Sequence, residues 1–97
     1  MKSVPFKTSD HLLKTRRDII AYLNVALEDG EPAVLLEALR NVAQARGGIG
    51  TLAKAAGVSR ESLYRTLSRR GNPKIDTVMA LLRAMGLKLS IDQRKAA

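Results

Sequence analysis

The chain repeats apolar residues with the period of an α-helix along most of its length. Isoleucines and leucines recur every three or four residues in TRRDIIAYLNVALEDG, and the segment LLEALRNVA has the same spacing. Shorter stretches of this kind are predicted to form helices over residues 49–56, 60–69 and 77–85. Amphipathic helices must bury their apolar faces against one another. The pattern therefore predicts an all-α fold of five helices around one core.

Capping residues and glycines predict where these helices begin and end. Ser, Thr or Asp caps the first turn of a helix, proline is tolerated there, and glycine ends a helix in a left-handed conformation. The expected starts are Thr15 with Asp18, Pro32 and Asp76, and the expected stops are Gly30, Gly47 with Gly48, and Gly86. Gly48 and Gly50 flank Ile49 and weaken the first turn of the third helix. The sequence therefore does not determine at which residue this helix begins.

The spacing of apolar residues changes near the end of the chain. Residues 87–91 (LKLSI) alternate apolar and polar side chains, as a β-strand does. Because a single strand is not stable in isolation, we expect a short C-terminal strand that pairs with its counterpart in a homodimer. The N-terminal helix is the alternative dimer contact, alone or together with this strand. The residues before Leu12 have no periodicity and are expected to be irregular.

Positive charge is concentrated in the second half of the chain. The 97 residues include 17 Lys and Arg against 9 Asp and Glu, a net charge of +8. Residues 1–48 contribute +1 (7 basic, 6 acidic), and residues 49–97 contribute +7 (10 basic, 3 acidic). A basic half beside a near-neutral half is typical of a polyanion-binding module joined to another unit. A basic surface that only keeps the protein soluble is the alternative.

Composition argues against several other classes of protein. There is no cysteine, hence no disulfide framework and no thiolate metal site. No apolar run approaches the roughly 18–20 residues that span a bilayer, and the N-terminus lacks the apolar region of a signal peptide, so we expect a cytoplasmic protein. His11, the single histidine, has no metal-ligand spacing to other residues, and no nucleophile has a plausible base. We therefore expect no metal, no cofactor and no enzymatic activity.

The stretch TLAKAAGVSRESLYRTLSRR places a glycine between two short helices. Gly57 can adopt the left-handed conformation that ends the first helix, and Ser59 is a favoured N-cap for the second. At about 100° per residue, Leu63 and Leu67 share one side of the second helix, and charged residues lie opposite. This layout predicts a helix-turn-helix whose second helix can enter a major groove of DNA. The alternative is a structural helix pair with a solvated basic face.

A resemblance to the Xre/lambda-repressor-like helix-turn-helix domain is carried by LAKAAGVSRESLYRTLSRRGNPKIDTVMALLRAMGL. The segment upstream, IIAYLNVALEDGEPAVLLEALRNVAQARG, resembles the N-terminal part of addiction-module antidote proteins, the HigA-like antitoxins. The length of the chain predicts one domain over residues 1–97, and the resemblance covers about residues 10–91 of it. In it, helices over 10–48 serve toxin binding or dimerisation, residues 49–86 bind DNA, and residues 87–97 form the strand and a basic tail. It also implies an antitoxin of a type II toxin–antitoxin module, which represses its own operon as a dimer and captures a RelE/ParE-like toxin.

Carried over by this resemblance, the base-reading positions of the second helix are Arg60, Glu61 and Arg65. Arginine can bind guanine O6 and N7 together, and glutamate can accept from cytosine N4. The alternatives are a surface ion pair between Arg65 and Glu61, and a carboxylate that only favours the positive N-terminus of its helix. The phosphate-contact candidates are Ser59, Ser62, Tyr64, Ser68, Arg69, Arg70, Asn72 and Lys74. For Ser59, helix capping is a sufficient alternative.

Four carboxylates lie around the predicted turn between the first two helices: Glu28, Asp29, Glu31 and Glu37. Because toxins of the resembled class tend to be basic, this acidic corner is a candidate toxin-binding surface; a solvated turn is the alternative. Two other functions fit the same chain. One is a stand-alone prophage-type repressor without a toxin partner, and the other is a helical interaction protein whose basic face binds an acidic protein or RNA.

Overall fold

A computed structural model describes residues 15–68 and 71–94. Over these residues the protein is built from α-helices and contains no strand, which confirms the predicted all-α class. The helices are α1 (Arg16–Asp29), α2 (Pro32–Ala45), α3 (Ile49–Ala56), α4 (Arg60–Thr66) and α5 (Ile75–Ala84). The expectations for the residues before Leu12, for His11, for Arg69 and Arg70, and for residues 95–97 lie outside the described residues.

The first two helices begin and end where the sequence predicts. The Thr15 hydroxyl accepts from the Asp18 amide at 3.1 Å, and the Asp18 carboxylate accepts from the Thr15 amide at 3.2 Å, which forms the expected capping box. Gly30 ends α1 in the left-handed region (φ 82°), and Pro32 is the first residue of α2. These caps satisfy backbone groups that a helix end otherwise leaves without a partner.

Helices α3 and α4 are joined by Gly57, Val58 and Ser59. Gly57 ends α3 with a left-handed φ of 76°, and the Val58 amide donates back to the Ala53 carbonyl at 3.0 Å. The Ser59 hydroxyl accepts from the Ser62 amide at 3.0 Å and caps α4. Both predicted roles are confirmed, and the arrangement is consistent with an all-α helix-turn-helix fold. The first residue of α3, left open by the sequence, is Ile49, with Gly48 as its N-cap.

Helix α4 is shorter than predicted: it ends at Thr66, whereas the pattern extended to residue 69. The Ser68 amide donates to the Arg65 carbonyl at 3.2 Å, a contact three residues back that tightens the last turn. The next carbonyls are bound by groups outside the helix. The Leu67 carbonyl accepts from the Arg40 guanidinium, and the Ser68 carbonyl accepts from the Gly71 amide at 2.8 Å. These contacts replace the helical continuation.

Helix α5 begins two residues earlier than predicted, and Asp76 is not its N-cap. The Val78 amide donates to the Lys74 carbonyl at 3.1 Å, so Lys74 takes the cap position, without a capping side-chain bond. Asp76 lies within the first turn instead, and its carboxylate accepts from the Thr77 amide at 2.9 Å. A carboxylate there still favours the positive helix N-terminus. The predicted stop is confirmed, because Gly86 is left-handed (φ 77°).

Residues 87–94, which follow α5, form neither helix nor strand within the described chain. The predicted strand over 87–91 is therefore not formed by the single chain, and its pairing with a second chain stays a prediction. Leu89 is 40% exposed and Ile91 is 100% exposed, so this segment leaves apolar side chains uncovered.

The centre of the core is formed by side chains from α2, from α4 and its C-cap, and from α5. Its largest fully buried side chains are Leu39, Val42, Leu63, Leu67 and Leu81. Burying one such side chain stabilises a fold by about 1.5–3 kcal/mol. The core also holds one described polar residue, Asn41, whose side-chain amide donates to the Tyr22 hydroxyl at 2.8 Å. That bond ties α2 to α1 and satisfies a group that is costly to bury alone.

Candidate nucleic-acid interface

Helix α4 presents a polar face to solvent because its two leucines hold the opposite face in the core. Leu63 is 1% exposed and Leu67 is 0% exposed. The three predicted base-reading residues are all exposed on the other side. They lie together in one open depression, which is lined by Arg60, Glu61, Tyr64, Arg65 and Ser68. The outward placement predicted from helical geometry is thus observed.

This depression offers hydrogen-bond donors and an acceptor on one surface. An arginine guanidinium carries five N–H donors in a fixed fork, and an ionised glutamate only accepts. The edges of base pairs in a major groove present acceptors on guanine and a donor on cytosine. Tyr64 is 62% exposed, and its phenol hydroxyl can both donate and accept. The surface therefore has the functional groups that base edges and phosphates require.

The three serine candidates differ in the hydrogen bonds that their side chains make. The Ser59 hydroxyl accepts from the Ser62 amide and so keeps its own proton for donation. The Ser68 hydroxyl instead donates to the Arg65 carbonyl at 2.7 Å, which uses its single proton inside the protein. Ser62 is exposed on the first turn of α4. Ser59 and Ser62 are therefore better placed to donate to an external phosphate than Ser68.

The segment between α4 and α5 carries two further phosphate candidates. Asn72 and Lys74 are both exposed there, beside the end of α4. Gly71 makes the turn possible, because a Cβ at this position would overlap the Thr66 carbonyl. The need for space at Gly71 appears only in the structure.

Arg60 extends across to the neighbouring helix. A Cβ built on Gly50 of α3 would lie 3.5 Å from the Arg60 Cδ and 3.7 Å from its Nε. A Cβ at these distances would be in ordinary van der Waals contact, so the Arg60 stem passes close to Gly50 without requiring a glycine there. Sequence reasoning identified Gly50 only as a weak point in the first turn of α3. The structure adds that Gly50 lies beside a predicted base-reading side chain.

Arg40 contacts the end of α4, and the sequence analysis did not identify it. It lies on α2, is half-buried, and its Nη1 donates to the Leu67 carbonyl at the end of α4. Arg40 lies between the buried Leu39 and the buried Asn41. Its charge directly after a core leucine is the signal of this contact that the sequence contains.

Only two of the four carboxylates of the acidic corner line the same depression. Glu28 and Asp29 line an open depression with Asn24 and Val25 at the end of α1. Glu31 is exposed at the N-cap of α2. Glu37 is half-buried on α2 and does not line this depression. Val25 is 46% exposed, so the depression combines carboxylates with an apolar side chain.

The described residues form neither a metal-binding cluster nor a membrane-spanning helix. No cluster of three or more His, Cys, Asp or Glu side chains is arranged to hold a metal ion in residues 15–68 and 71–94. Within the same ranges, no helix is both long and apolar enough to cross a bilayer.

Comparisons with known proteins add evidence from outside the structure. A family model described as "Probable addiction module antidote protein" matches residues 2–93. An uncharacterized protein of Haemophilus influenzae is 37% identical over 92 residues, which cover 95% of this chain and 93% of that protein. No solved structure matches the chain.

Proposed function

Because the chain belongs to the family of probable addiction module antidote proteins, we propose that it neutralises a toxin by binding it directly. An antidote of this kind works by occupying its partner, so its activity depends on surfaces and needs no catalytic residue. In the finer assignment, the chain is a HigA-like antitoxin of a type II module and its partner is a RelE/ParE-like toxin.

The second half of the proposal is sequence-specific DNA binding through α3 and α4, as an Xre/lambda-repressor-like helix-turn-helix. The observation that carries it is the outer face of α4, where Arg60, Glu61 and Arg65 share one open depression opposite two buried leucines. The charge distribution supports it as well, since residues 49–97 carry +7 of the net +8. In this proposal α4 is the recognition helix that enters the major groove.

The proposed contacts divide by chemistry. Arg60 and Arg65 bind guanine edges through their paired donors, and Glu61 accepts from a cytosine amino group. Ser59, Ser62, Tyr64, Asn72 and Lys74 contact phosphates, which fix the register on the duplex without reading its sequence. Ser68 contributes indirectly, because its proton is donated to the Arg65 carbonyl. The DNA would be an operator at the promoter of the protein's own operon, bound by a homodimer that represses transcription.

Toxin binding is proposed for the N-terminal half of the chain, which contains α1 and α2. The depression at the end of α1 pairs Glu28 and Asp29 with the exposed Val25. An acidic surface with an apolar component complements a basic partner, since charge complementarity steers association and apolar contact adds affinity. Glu31 extends the negative charge at the start of α2.

The proposal is tested by co-expression with the small open reading frame next to this gene, with an affinity tag on that partner. We expect the partner to arrest growth when expressed alone, and to copurify with this protein when growth is restored. If the partner is harmless and does not copurify, the antidote function is wrong. Operator binding measured in the same case would then favour a stand-alone repressor.

A further inference from the structure

Arg40 connects the helix that precedes α3 to the end of α4. The two residues joined by its hydrogen bond are 27 positions apart in the chain, and the arginine side chain is half-buried. The acceptor is the backbone carbonyl of Leu67, the C-cap of α4, whose own side chain is fully buried. The contact thus lies between the core and the polar surface.

The end of α4 needs an external partner. The last carbonyls of a helix have no acceptor role within that helix, and they carry partial negative charge that a cation stabilises. Helix α4 has only seven residues, far below the roughly 12–15 that form a marginally stable isolated helix. Its orientation must therefore be set by contacts with the rest of the protein.

Helix α4 is held at its start, its middle and its end. Ser59 caps its first turn, and Leu63 anchors its middle in the core. At its end, Leu67 supplies both a buried side chain and the carbonyl bound by Arg40. The chain then turns at Gly71 toward the exposed Asn72 and Lys74. A change at the Leu67 carbonyl would therefore alter both the tilt of α4 and the path of the loop.

We propose that Arg40 is a positioning residue for DNA recognition, which orients α4 and the following loop by binding the Leu67 carbonyl. The inference rests on the proposed DNA-binding function. Arg40 acts through the protein backbone, and its contribution is to keep the base-reading side chains in register with the phosphate contacts. Misalignment of such groups weakens specific binding more than non-specific binding, because only base contacts require accurate geometry.

The first test is hydrogen exchange on the full chain for wild type, Arg40→Gln, Arg40→Lys and the control Arg17→Gln. Arg17 is an exposed arginine on α1, so its replacement removes the same charge without touching α4. In Arg40→Gln we expect the Leu67, Ser68 and Gly71 amides to exchange roughly 10- to 100-fold faster, as for loss of a charge-assisted hydrogen bond. Arg40→Lys, which keeps a cationic donor, should fall between. Unchanged exchange, or an equal increase in the amides of α1, would overturn the inference.

The second test compares binding to DNA from upstream of the gene with binding to random duplex of equal length. Arg40→Gln should lose at least about tenfold in preference for the upstream DNA, with the salt dependence of the control Arg17→Gln. An equal loss on both DNAs with a smaller salt slope would mean that Arg40 contacts a phosphate, against the inference. If the wild type shows no salt-sensitive DNA binding, the proposed DNA-binding function itself fails. If the wild type binds DNA in this way and Arg40→Gln keeps the same preference for the upstream DNA, only the proposed role of Arg40 is wrong.

Discussion

At the scale of single residues, Arg60 and Arg65 occupy different surroundings on the same helix. The Arg60 stem lies against Gly50 of α3, whereas the Arg65 carbonyl accepts from both the Ser68 amide and the Ser68 hydroxyl. The backbone that carries Arg65 is therefore held by two hydrogen bonds, while its side chain is exposed. A fixed backbone beneath a long exposed side chain suits a residue that must find one base edge.

We predict that Arg65→Ala loses preference for the operator over random DNA. A bidentate arginine–guanine pair is worth about 1–3 kcal/mol of discrimination, so the preference should fall by that amount while non-specific affinity changes little. Competition binding with the two DNAs measures the difference. An operator preference equal to that of wild type would show that α4 is not the recognition helix.

Lys74→Ala is the matched comparison, because Lys74 is exposed in the loop after α4 and is a phosphate candidate. It should weaken binding to both DNAs alike and reduce the dependence of affinity on salt by about one charge. A selective loss of operator binding in this variant would contradict its assignment as a phosphate contact.

At the scale of helices, most boundaries could be predicted because they depend on neighbours in sequence. The capping box at Thr15, the left-handed Gly57 and the Ser59 cap involve residues at most five positions apart. The contacts that the sequence did not predict depend on the tertiary structure. Arg40 meets a carbonyl 27 positions away, and Gly71 is needed for space beside Thr66, so neither follows from local pattern. The same limit explains why Glu37 was grouped with a corner that it does not line.

The turn between α1 and α2 allows a test of the acidic corner. We predict that changing Glu28, Asp29 and Glu31 to lysine abolishes toxin capture, because reversed charge repels a basic partner. Glu28 and Glu31 are exposed and Asp29 is half-buried, so Glu28→Lys with Glu31→Lys is the milder variant if the triple change impairs folding. Circular dichroism verifies the fold, and copurification with the tagged partner gives the result. A folded variant that still binds the partner with wild-type affinity would exclude this surface.

At the scale of the whole molecule, charge separates the two halves. The half that contains α3, α4 and α5 carries +7, and the half that contains α1 and α2 carries +1. A protein that neutralises several phosphates releases their counterions, so its affinity for DNA falls steeply with salt. We predict such a decline, together with a two-fold symmetric footprint whose half-sites are about 34 Å apart or a multiple of it. A footprint without symmetry would contradict dimeric binding.

The attachment of α4 through Leu63 and Leu67 has a consequence for retargeting. Since the exposed residues of this helix contribute little to the core, Arg60, Glu61 and Arg65 can be exchanged for other residues while the scaffold is kept. If both proposed surfaces are correct, DNA specificity and toxin binding can then be changed independently, because they lie on different helices. A library randomised at these three positions and unchanged elsewhere should yield variants that bind new operator sequences and still neutralise the same toxin.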